Sequence, residues 1–397
     1  MSKRQRFISR RLIVLSAVFM LIGYNLTAQS DSASYWKKHF DVNGYVKFMQ
    51  TFSGDMEGEI YDQSLWHNRF NLKFNSQTKN GGTELYLESR NRMFYGEAVQ
   101  INSFMKDTLA KDAGFLDLSF SAGDERSFLY GGTFDRLWYK GYYKSWEWSL
   151  GRQRINWGIN SYWNANDLFN AFTFTDFDYE ERPGSDALRI QKIFKNGANL
   201  EVASSIGADS STVGAAKLGW NIWNYDFQII AGKYYGDYVI GGGWAGGIKD
   251  WGFKGETTYF IDSEDSNKSA VSLSVSGEYI LKGNKFLGLG ALYTSNGLSG
   301  SADVSTSLLA FQASPKSLMP TRWSAMASYG GEFGGLSSYA LVFVYLPGTK
   351  FGLLMPSITR SVAQNFDLSF HMINVGGSMN NEPVFLANGF VRAKWSF

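Results

Sequence analysis

The chain has 397 residues, of which 44% are hydrophobic, 17% aromatic and 19% charged, and its formal net charge is +2. It carries no cysteine, which excludes a disulfide framework and a lipid-modified N-terminal cysteine. The high aromatic content excludes a disordered chain, because disordered segments lack the side chains needed to bury apolar surface. Abundant glycine and aromatic residues favour an all-β protein.

The N-terminus has the order of a secretory signal peptide. Five basic residues and no acid precede an apolar run of 12 residues, Leu12 to Gly23, and small residues follow. We therefore predict that residues 1–28 are a signal peptide that is cleaved after Ala28. An uncleaved anchor helix is the alternative, although 12 residues are too few to span about 30 Å of hydrocarbon. Cleavage removes five positive charges and changes the net charge from +2 to −3, which leaves no compositional support for a nucleic-acid partner.

Beyond residue 30 the chain alternates between apolar and polar residues in segments of about ten residues, which is typical of membrane-spanning barrel strands. In one of these segments Trp66 and Leu72 fall on one face, whereas Arg69 and Lys73 fall on the other. Eighteen strands are predicted, near 41–52, 65–77, 82–93, 130–143, 146–156, 187–194, 199–207, 212–221, 224–234, 237–248, 251–262, 269–281, 285–296, 322–331, 336–346, 351–361, 365–375 and 385–397. The sequence therefore predicts an all-β fold, a transmembrane antiparallel β-barrel of about 18 strands (16–18).

The predicted connections fall into two classes. Long connections, at 53–64, 94–129, 157–186, 297–321 and 376–384, alternate with turns of two to four residues. Outer-membrane barrels have long external loops and short periplasmic turns, so we assign the long connections to the cell exterior. A soluble β-sandwich is the alternative fold, but it leaves strand edges unpaired that a closed barrel pairs.

The last predicted strand ends the chain on an aromatic residue. Val391, Ala393, Trp395 and Phe397 share one face of this strand. The arrangement resembles the C-terminal assembly signal of outer-membrane barrel proteins. It predicts the barrel-assembly machinery as a partner, besides the lipid bilayer of the outer membrane. An ordinary terminal strand is the alternative.

The faces opposite the apolar ones are charged on the early strands, and basic residues there outnumber acids. The set consists of Lys47, Arg69, Lys73, Glu84, Glu88, Arg90, Arg92, Arg136, Lys140 and Arg189. Two interpretations stay open: a solvated wall that keeps the pore wet, and a basic ladder that attracts anions and sets selectivity. The solvated wall is slightly favoured, because the loops supply many carboxylates.

One motif carries a family resemblance. It runs from Gly151 to Gly158 (GRQRINWG), continues from Asn164 to Phe169 (NANDLF) and ends with Arg-Pro-Gly at 182–184. GRQ-x-x-x-W-G followed by N-x-x-D-L-F and R-P-G resembles the alginate-export-like and related porin-like outer-membrane families of Gram-negative bacteria. The resemblance implies a substrate-conducting barrel in which this segment precedes an inward loop. The sequence after Trp157 departs from the charged G-D-x-R run of the alginate branch, so no alginate substrate is predicted.

The connection 157–186 contains too many aromatic residues for a freely solvated loop, so we predict that it packs inside the barrel and narrows the pore. The candidate ion-pair partners are Arg152, Arg154, Arg182 and Arg189 on one side, and Asp167, Asp176, Asp178, Glu180, Glu181 and Asp186 on the other. Strict alternation places Arg152 and Arg154 toward lipid, where a bare arginine costs about 2–4 kcal/mol. We therefore expect a β-bulge at Gly151 that turns them inward.

The candidate pore-lining and constriction residues are Arg69, Lys73, Arg90, Arg136, Lys140, Arg152, Arg154, Asp167, Arg182, Asp186 and Arg189. The three histidines are dispersed, and neither H-E-x-x-H nor G-x-S-x-G occurs, so no catalytic residue, metal or cofactor is predicted. The sequence predicts a porin-like channel for passive passage of a small hydrophilic solute, with anions as one candidate class. An enzyme with its site on the barrel rim and a non-conducting structural or assembly barrel stay open as alternatives.

Overall fold

The structure, a computed structural model, describes residues 38–54, 58–101, 109, 112–122, 127–171, 184–299, 311, 313–379 and 382–397. The signal peptide, its cleavage point and five candidate pairing residues (Asp176, Asp178, Glu180, Glu181 and Arg182) lie outside the described residues and stay predictions.

The strands are β1 (Phe40–Gly54), β2 (Ile60–Thr78), β3 (Gly81–Tyr95), β4 (Ser119–Ala122), β5 (Phe128–Tyr143), β6 (Trp146–Gln153), β7 (Ser185–Ile193), β8 (Asn199–Ile206), β9 (Thr212–Ile222), β10 (Tyr225–Tyr234), β11 (Asp237–Ile248), β12 (Trp251–Ile261), β13 (Ala270–Leu281), β14 (Lys285–Thr294), β15 (Trp323–Phe333), β16 (Ser337–Leu346), β17 (Phe351–Ala363), β18 (Phe366–Met379) and β19 (Glu382–Ser396). A short helix, α1 (Glu97–Ile101), and a 3₁₀ turn, Ser266–Lys268, lie in the connections. No helix in the described ranges is long and apolar enough to cross a membrane.

Within the described residues, 18 strands form one closed antiparallel ring, which confirms the predicted barrel. Neighbouring strands of the chain pair with each other, and the ring closes where β1 pairs with β19, for example Gln50 with Val391. The remaining strand, β4, pairs with one end of β5. It lies in the connection 94–129, for which no strand is predicted.

Side chains alternate between the two faces of the wall. On β6, Trp148 and Leu150 are 41% and 58% exposed on the outer face, whereas Ser149 between them is 2% exposed on the inner face. On β13, Ser272 and Ser274 are buried on the inner face. Apolar side chains outside and polar ones inside are the arrangement that a membrane barrel requires, since its outer face meets lipid.

The two ends of the barrel differ in their connections. At the short-turn end, Trp223 and Asn224 (φ 54° and 62°) and Lys249 (φ 55°) adopt left-handed backbone conformations. Two-residue turns with positive φ match the right-handed twist of paired strands. The other, long-loop end carries the connections 154–184 and 295–322.

Several predicted strand boundaries are wrong. β18 extends to Met379 and β19 begins at Glu382, so most of the predicted long connection 376–384 is strand. β2 begins at Ile60, five residues earlier than predicted, and the added residues extend its ladder with β1. β6 ends at Gln153 rather than at residue 156. The reason is that the backbone N–H of Ile155 donates to Asn170 Oδ1 at 3.1 Å, so the chain leaves the wall after β6.

The last residue takes part in the seam between β1 and β19. The backbone N–H of Phe397 donates to the Gly44 carbonyl at 3.0 Å, and the Gly44 N–H donates to the Phe397 carbonyl at 3.0 Å. The Phe397 ring lies over Gly44, where a Cβ would be 2.9 Å from the ring. The same Cβ would be 2.2 Å from the Arg69 carbonyl oxygen on β2, so a larger residue at position 44 would disturb both the β1–β2 ladder and the terminal ring.

Deletion of Phe397 is expected to lower the yield of folded barrel several-fold, because it removes two hydrogen bonds and an aromatic contact at the seam. The measurement is the fraction of protein that migrates as a heat-modifiable band after expression. Phe397→Tyr keeps the ring and the backbone groups and serves as the control. A normal folded yield from the deletion would contradict a role of this residue in assembly.

Candidate functional site in the barrel interior

The residues that follow β6 turn into the barrel, and we call residues 154–171 the inner loop. Trp157 Nε1 donates to Glu201 Oε1 on β8 at 2.6 Å, and Ser274 Oγ on β13 donates to the Trp163 carbonyl at 2.7 Å. Both partners belong to the inner face of the wall. The inner loop therefore crosses the inside of the barrel wall from β8 to β13.

A buried carboxylate holds the middle of the inner loop. Glu256, on the inner face of β12, is 0% exposed. Its Oε1 accepts hydrogen bonds from the backbone N–H of Asn160, at 2.7 Å, and from that of Ile159. Its Oε2 accepts from the N–H of Asn166 at 2.9 Å. Because hydrogen bonds to a charged acceptor are stronger than neutral ones, Glu256 fixes the path of the loop.

The residues that carry the family resemblance form the packed part of the inner loop. Trp157, Asp167 and Leu168 are all buried. The Trp157 ring meets Phe169 edge-on, with 5.0 Å between ring centroids. The Lys217 ammonium lies 5.5 Å from the centroid of the Trp157 ring. The motif therefore specifies how the loop packs against the wall.

Small inward-facing residues make room for the inner loop. Ala203 and Ala215 belong to the buried cluster around it. On β11, a Cβ at Gly241 would lie 2.9 Å from Asn166 Oδ1, and a Cβ at Gly243 would lie 3.1 Å from Asn166 Nδ2. Larger side chains at these positions would displace the loop, so the glycine-rich run of β11 has a packing role.

A second segment, residues 313–322, also packs inward, although it belongs largely to a connection predicted to be external. Ser272 Oγ on β13 donates to the Pro315 carbonyl at 2.9 Å. The segment and the inner loop share one buried apolar cluster, which consists of Trp163, Ala165, Leu292, Leu318, Met319, Met326, Val344, Leu346, Phe351, Leu353 and Val384. One side of the interior is therefore apolar near the long-loop end.

Strands β1 to β9 carry many inward charged side chains, which we call the charged wall. Its last two strands, β8 and β9, also contact the inner loop through Glu201 and Lys217. Among the described residues of this wall, the cations are Lys47, Arg69, Lys73, Arg90, Arg92, Arg136, Lys140, Arg189 and Lys217. The carboxylates are Asp41, Glu84, Glu88, Asp135, Glu147 and Glu201. The cations outnumber the carboxylates, as the sequence predicts for the early strands.

Ion pairs compensate most of the predicted basic ladder. Arg90 Nη2 lies 2.8 Å from Asp135 Oδ1, and Lys73 Nζ lies 3.4 Å from Glu84 Oε1. Two further pairs share one acid: Arg136 Nε lies 3.2 Å from Glu88 Oε1, and Arg69 binds the other oxygen of Glu88. These carboxylates stand on the wall strands, whereas the sequence predicts compensating carboxylates in the loops.

Arg152 joins three segments near the long-loop end. Its Nε and Nη2 donate to the two oxygens of Asp186 at 2.8 and 3.0 Å, which is one of the candidate pairings, and its Nη1 donates to Asp112 Oδ2 at 2.7 Å. Bidentate pairing of this kind fixes orientation as well as charge.

Gly151, which precedes Arg152, has a φ of 116°. The ladders of β6 with β5 and β7 nevertheless pass Gly151 without a register shift, so the expected β-bulge is absent and the predicted inward turn of Arg152 is wrong. Arg152 and Asp186 stay on the outer face, opposite Leu137 and Ile206, and Arg152 is buried there against Asp112 and the Leu116 carbonyl.

The other predicted site residues occupy different places. Arg189 stands on the charged wall, and its Nε lies 2.7 Å from Glu201 Oε1. Asp167 is buried within the inner loop, and Arg154 is half-buried in its first residues. Arg182 lies outside the described residues. Across the described ranges, no three His, Asp or Glu side chains are placed to hold a metal ion.

Sequence reasoning missed Glu256, Glu201 and Asp112 as organising residues. Glu256 is the one acid in the polar face of β12, beside Lys254 and Thr258. A single carboxylate on an inward strand face is a signal that could have identified Glu256, because a buried charge requires hydrogen-bond partners. Asp112 lies in the long connection 94–129, where no strand pattern in the sequence indicates its role.

Solved structures share this fold. OccAB3 of Acinetobacter baumannii matches with a TM-score of 0.59 at 9% sequence identity, covering 90% of this chain and 99% of that chain. OpdQ of Pseudomonas aeruginosa matches with a TM-score of 0.58 at 10% identity, covering 90% and 98%. The fold is that of outer-membrane porins. At these identities the likeness concerns the fold alone. No protein-family model and no curated protein sequence matches the chain.

Replacement of Glu256 by alanine is expected to release the inner loop and to lower the unfolding temperature of the barrel. The reason is that three backbone N–H groups lose their acceptor, and each buried unsatisfied group costs about 1–3 kcal/mol. The temperature at which the heat-modifiable band disappears measures the effect. Glu256→Gln is expected to fall between wild type and Glu256→Ala, because it keeps one acceptor oxygen.

The matched control is Glu278→Ala on the neighbouring strand β13, where the carboxylate is 40% exposed and lies 3.2 Å from Lys254 Nζ. This variant is expected to unfold close to wild type, since exposed ion pairs contribute little. Equal unfolding temperatures for Glu256→Ala and Glu278→Ala would contradict the anchoring role of Glu256.

Proposed function

We propose that this protein is an outer-membrane channel through which a hydrophilic solute diffuses passively. The observation that carries the proposal is the charged wall inside a closed barrel. Part of this wall is accessible to water: Lys73 and Lys140 are 33% and 23% exposed, whereas Lys47, Arg69 and Glu88 are buried. A polar, solvated interior is typical of barrels that conduct, whereas a barrel with only a structural role can be filled by packed side chains.

The proposed location is the outer membrane, and the porin fold supports it. In this proposal the mature chain starts near Gln29 after cleavage of the signal peptide. The strand that ends at Phe397 presents the chain to the barrel-assembly machinery.

We place the solute path between the inner loop and the charged wall. The loop is held against β8 to β13, which leaves the strands β1 to β7 as the opposite side of the passage. The loop also carries polar side chains that bind charged groups of the wall: Ser161 Oγ accepts a hydrogen bond from Lys254 Nζ at 2.8 Å. A loop that occupies part of the cross-section narrows the pore and sets which solutes pass.

A modest preference for anions follows from the charges of the wall. Cations exceed carboxylates there, and a low-dielectric channel focuses the resulting positive potential. The ion pairs along the wall limit this preference for anions. The proposal does not extend to alginate, because Trp157 and the residues after it depart from the alginate branch and serve to pack the loop.

Planar-bilayer recording with the purified barrel tests the channel. Stepwise single-channel conductance is expected for wild type. Replacement of residues 159–166 by a short Gly–Ser linker is expected to raise the conductance several-fold, because the linker no longer occupies the cross-section. The same linker in place of residues 262–269, the connection between β12 and β13, is the control and is expected to leave the conductance unchanged.

The outcomes separate the alternatives. A wild-type barrel that shows no conductance would contradict the channel function and favour a non-conducting structural barrel. Unchanged conductance in the variant of residues 159–166 would show that the narrowest point lies outside the inner loop.

Ion selectivity tests the charged wall. The double variant Lys73→Gln and Lys140→Gln is expected to shift the reversal potential in a KCl gradient toward cation selectivity, because it removes two cations from the wall and leaves Glu84 without either lysine partner. Lys192→Gln is the control, since Lys192 stands on the outer face with its Nζ 4.3 Å from the Trp146 ring centroid. The shift is expected near 0.1 M salt, where the Debye length is about 10 Å, and should fade at 1 M, where it is about 3 Å. Equal reversal potentials for the double variant and the control would exclude these lysines from the path.

A further inference from the structure

An aromatic pair stands on the inner face of the charged wall. Tyr86 on β3 and Trp138 on β5 are cross-strand partners, and their rings stack with 5.3 Å between centroids and 16° between planes. Their chain neighbours Leu85 and Leu137 are exposed on the outer face, so the pair itself points inward. Aromatic girdles at membrane surfaces do not explain it, because girdle residues face the lipid interface.

The wall is flat on the side of Trp138 that faces away from Tyr86. The cross-strand partner of Trp138 there is Gly151 on β6, and the next residue across the sheet is Ala187 on β7. The Gln153 side chain lies along the backbone at this place, with its Nε2 donating to the Ala187 carbonyl at 2.9 Å. The indole therefore borders a shallow recess whose floor consists of small residues and an amide.

Charged groups surround this recess. Lys140 Nζ lies 5.6 Å from the Trp138 ring centroid and 3.3 Å from Glu147 Oε1. On the other side of the pair, the Tyr86 hydroxyl donates to Glu88 Oε2 at 3.2 Å. Lys140 and Glu147 are 23% and 29% exposed, so a solute in the passage reaches both a donor and an acceptor.

The charges beside the recess balance one another. Lys140 lies within ion-pair distance of Glu84 and Glu147, and Arg189 Nη1 lies 3.1 Å from Glu147 Oε1. An anionic solute would have to compete with these carboxylates for the same cations. A purely aromatic solute would cover charged groups without offering them hydrogen bonds, which costs free energy.

A solute ring with an apolar face and a hydroxylated edge can stack on the aromatic pair and also hydrogen-bond the charged groups around it. Its C–H face packs on the exposed face of an indole, and its hydroxyls donate to carboxylates and accept from ammonium groups. We infer that the Tyr86–Trp138 pair is a stacking site for the pyranose ring of a neutral saccharide on the solute path. This inference rests on the proposed channel function and names its substrate class.

Blockade of the ionic current by cellobiose tests the inference. Wild type is expected to show a concentration-dependent block. Trp138→Ala is expected to raise the half-blocking concentration roughly tenfold, which corresponds to about 1.4 kcal/mol. Mannitol, which has the hydroxyls without a ring face, is expected to block much more weakly. Trp148→Ala is the matched control, because Trp148 stands on the adjacent strand and faces lipid.

Two additions keep the test decisive. Trp138→Leu retains apolar bulk without the flat face, and it replaces Trp138→Ala if the alanine variant does not assemble. Titration of intrinsic tryptophan fluorescence with cellobiose, on the detergent-solubilised barrel, measures binding without any requirement for conduction.

The outcomes distinguish this inference from the channel function. A conducting wild type that cellobiose neither blocks nor binds would overturn the saccharide site and leave the channel proposal intact. Block by benzoate through Trp138, with none by cellobiose, would overturn it in favour of an aromatic carboxylate. Cellobiose binding that depends on Trp138 in a barrel without conductance would support the site and contradict the channel.

Discussion

A strand that faces hydrocarbon has to pair both of its edges, because no water is present there to hydrogen-bond a free N–H or C=O group. In this chain the pairing of β1 with β19 meets that requirement, and the closed ring then defines an inner face. The seam brings Lys47 opposite Lys394, although like charges on facing strands repel. The Tyr45 ring offsets the repulsion, with the two ammonium groups 5.6 and 4.5 Å from its centroid.

The interior divides into two sides with different tasks. The charged wall of β1 to β9 is balanced mainly by its own ion pairs and is accessible to solvent at Lys73, Lys140 and Arg189. The strands that face the inner loop carry hydroxyl groups, since the loop brings backbone polar groups into a region that excludes water. Thr258 Oγ1 donates to the Ala165 carbonyl at 2.8 Å, and Asn160 Nδ2 donates to Ser274 Oγ at 2.9 Å. Buried loop groups thereby find partners that a purely apolar wall would not provide.

The barrel follows from the sequence because side-chain alternation is a local property. The same alternation places Arg152 on the outer face, and the bulge expected at Gly151 is wrong because the ladders of β6 stay in register there. Which residues become partners across the barrel is not a local property of the sequence. Glu256 binds the N–H of Asn160, 96 residues away in the chain, and no pattern around either residue indicates the other. Asp135 illustrates a further limit: an irregularity in the β3–β5 pairing turns it inward toward Arg90, and its position depends on the exact register.

The seam also determines the order in which the molecule can assemble. It joins residue 45 to residue 396, so the ring cannot close until the end of the chain is available. The partners of the inner loop are found much earlier: Glu201, Glu256, Ser274 and the Tyr162 partner Ser328 all follow the loop within one continuous run of neighbouring strands. The loop can therefore dock on an open, curved sheet of β7 to β15 before the first and last strands meet. Closure then encloses an interior that is already filled on one side, and no bulky loop has to be threaded into a finished cylinder.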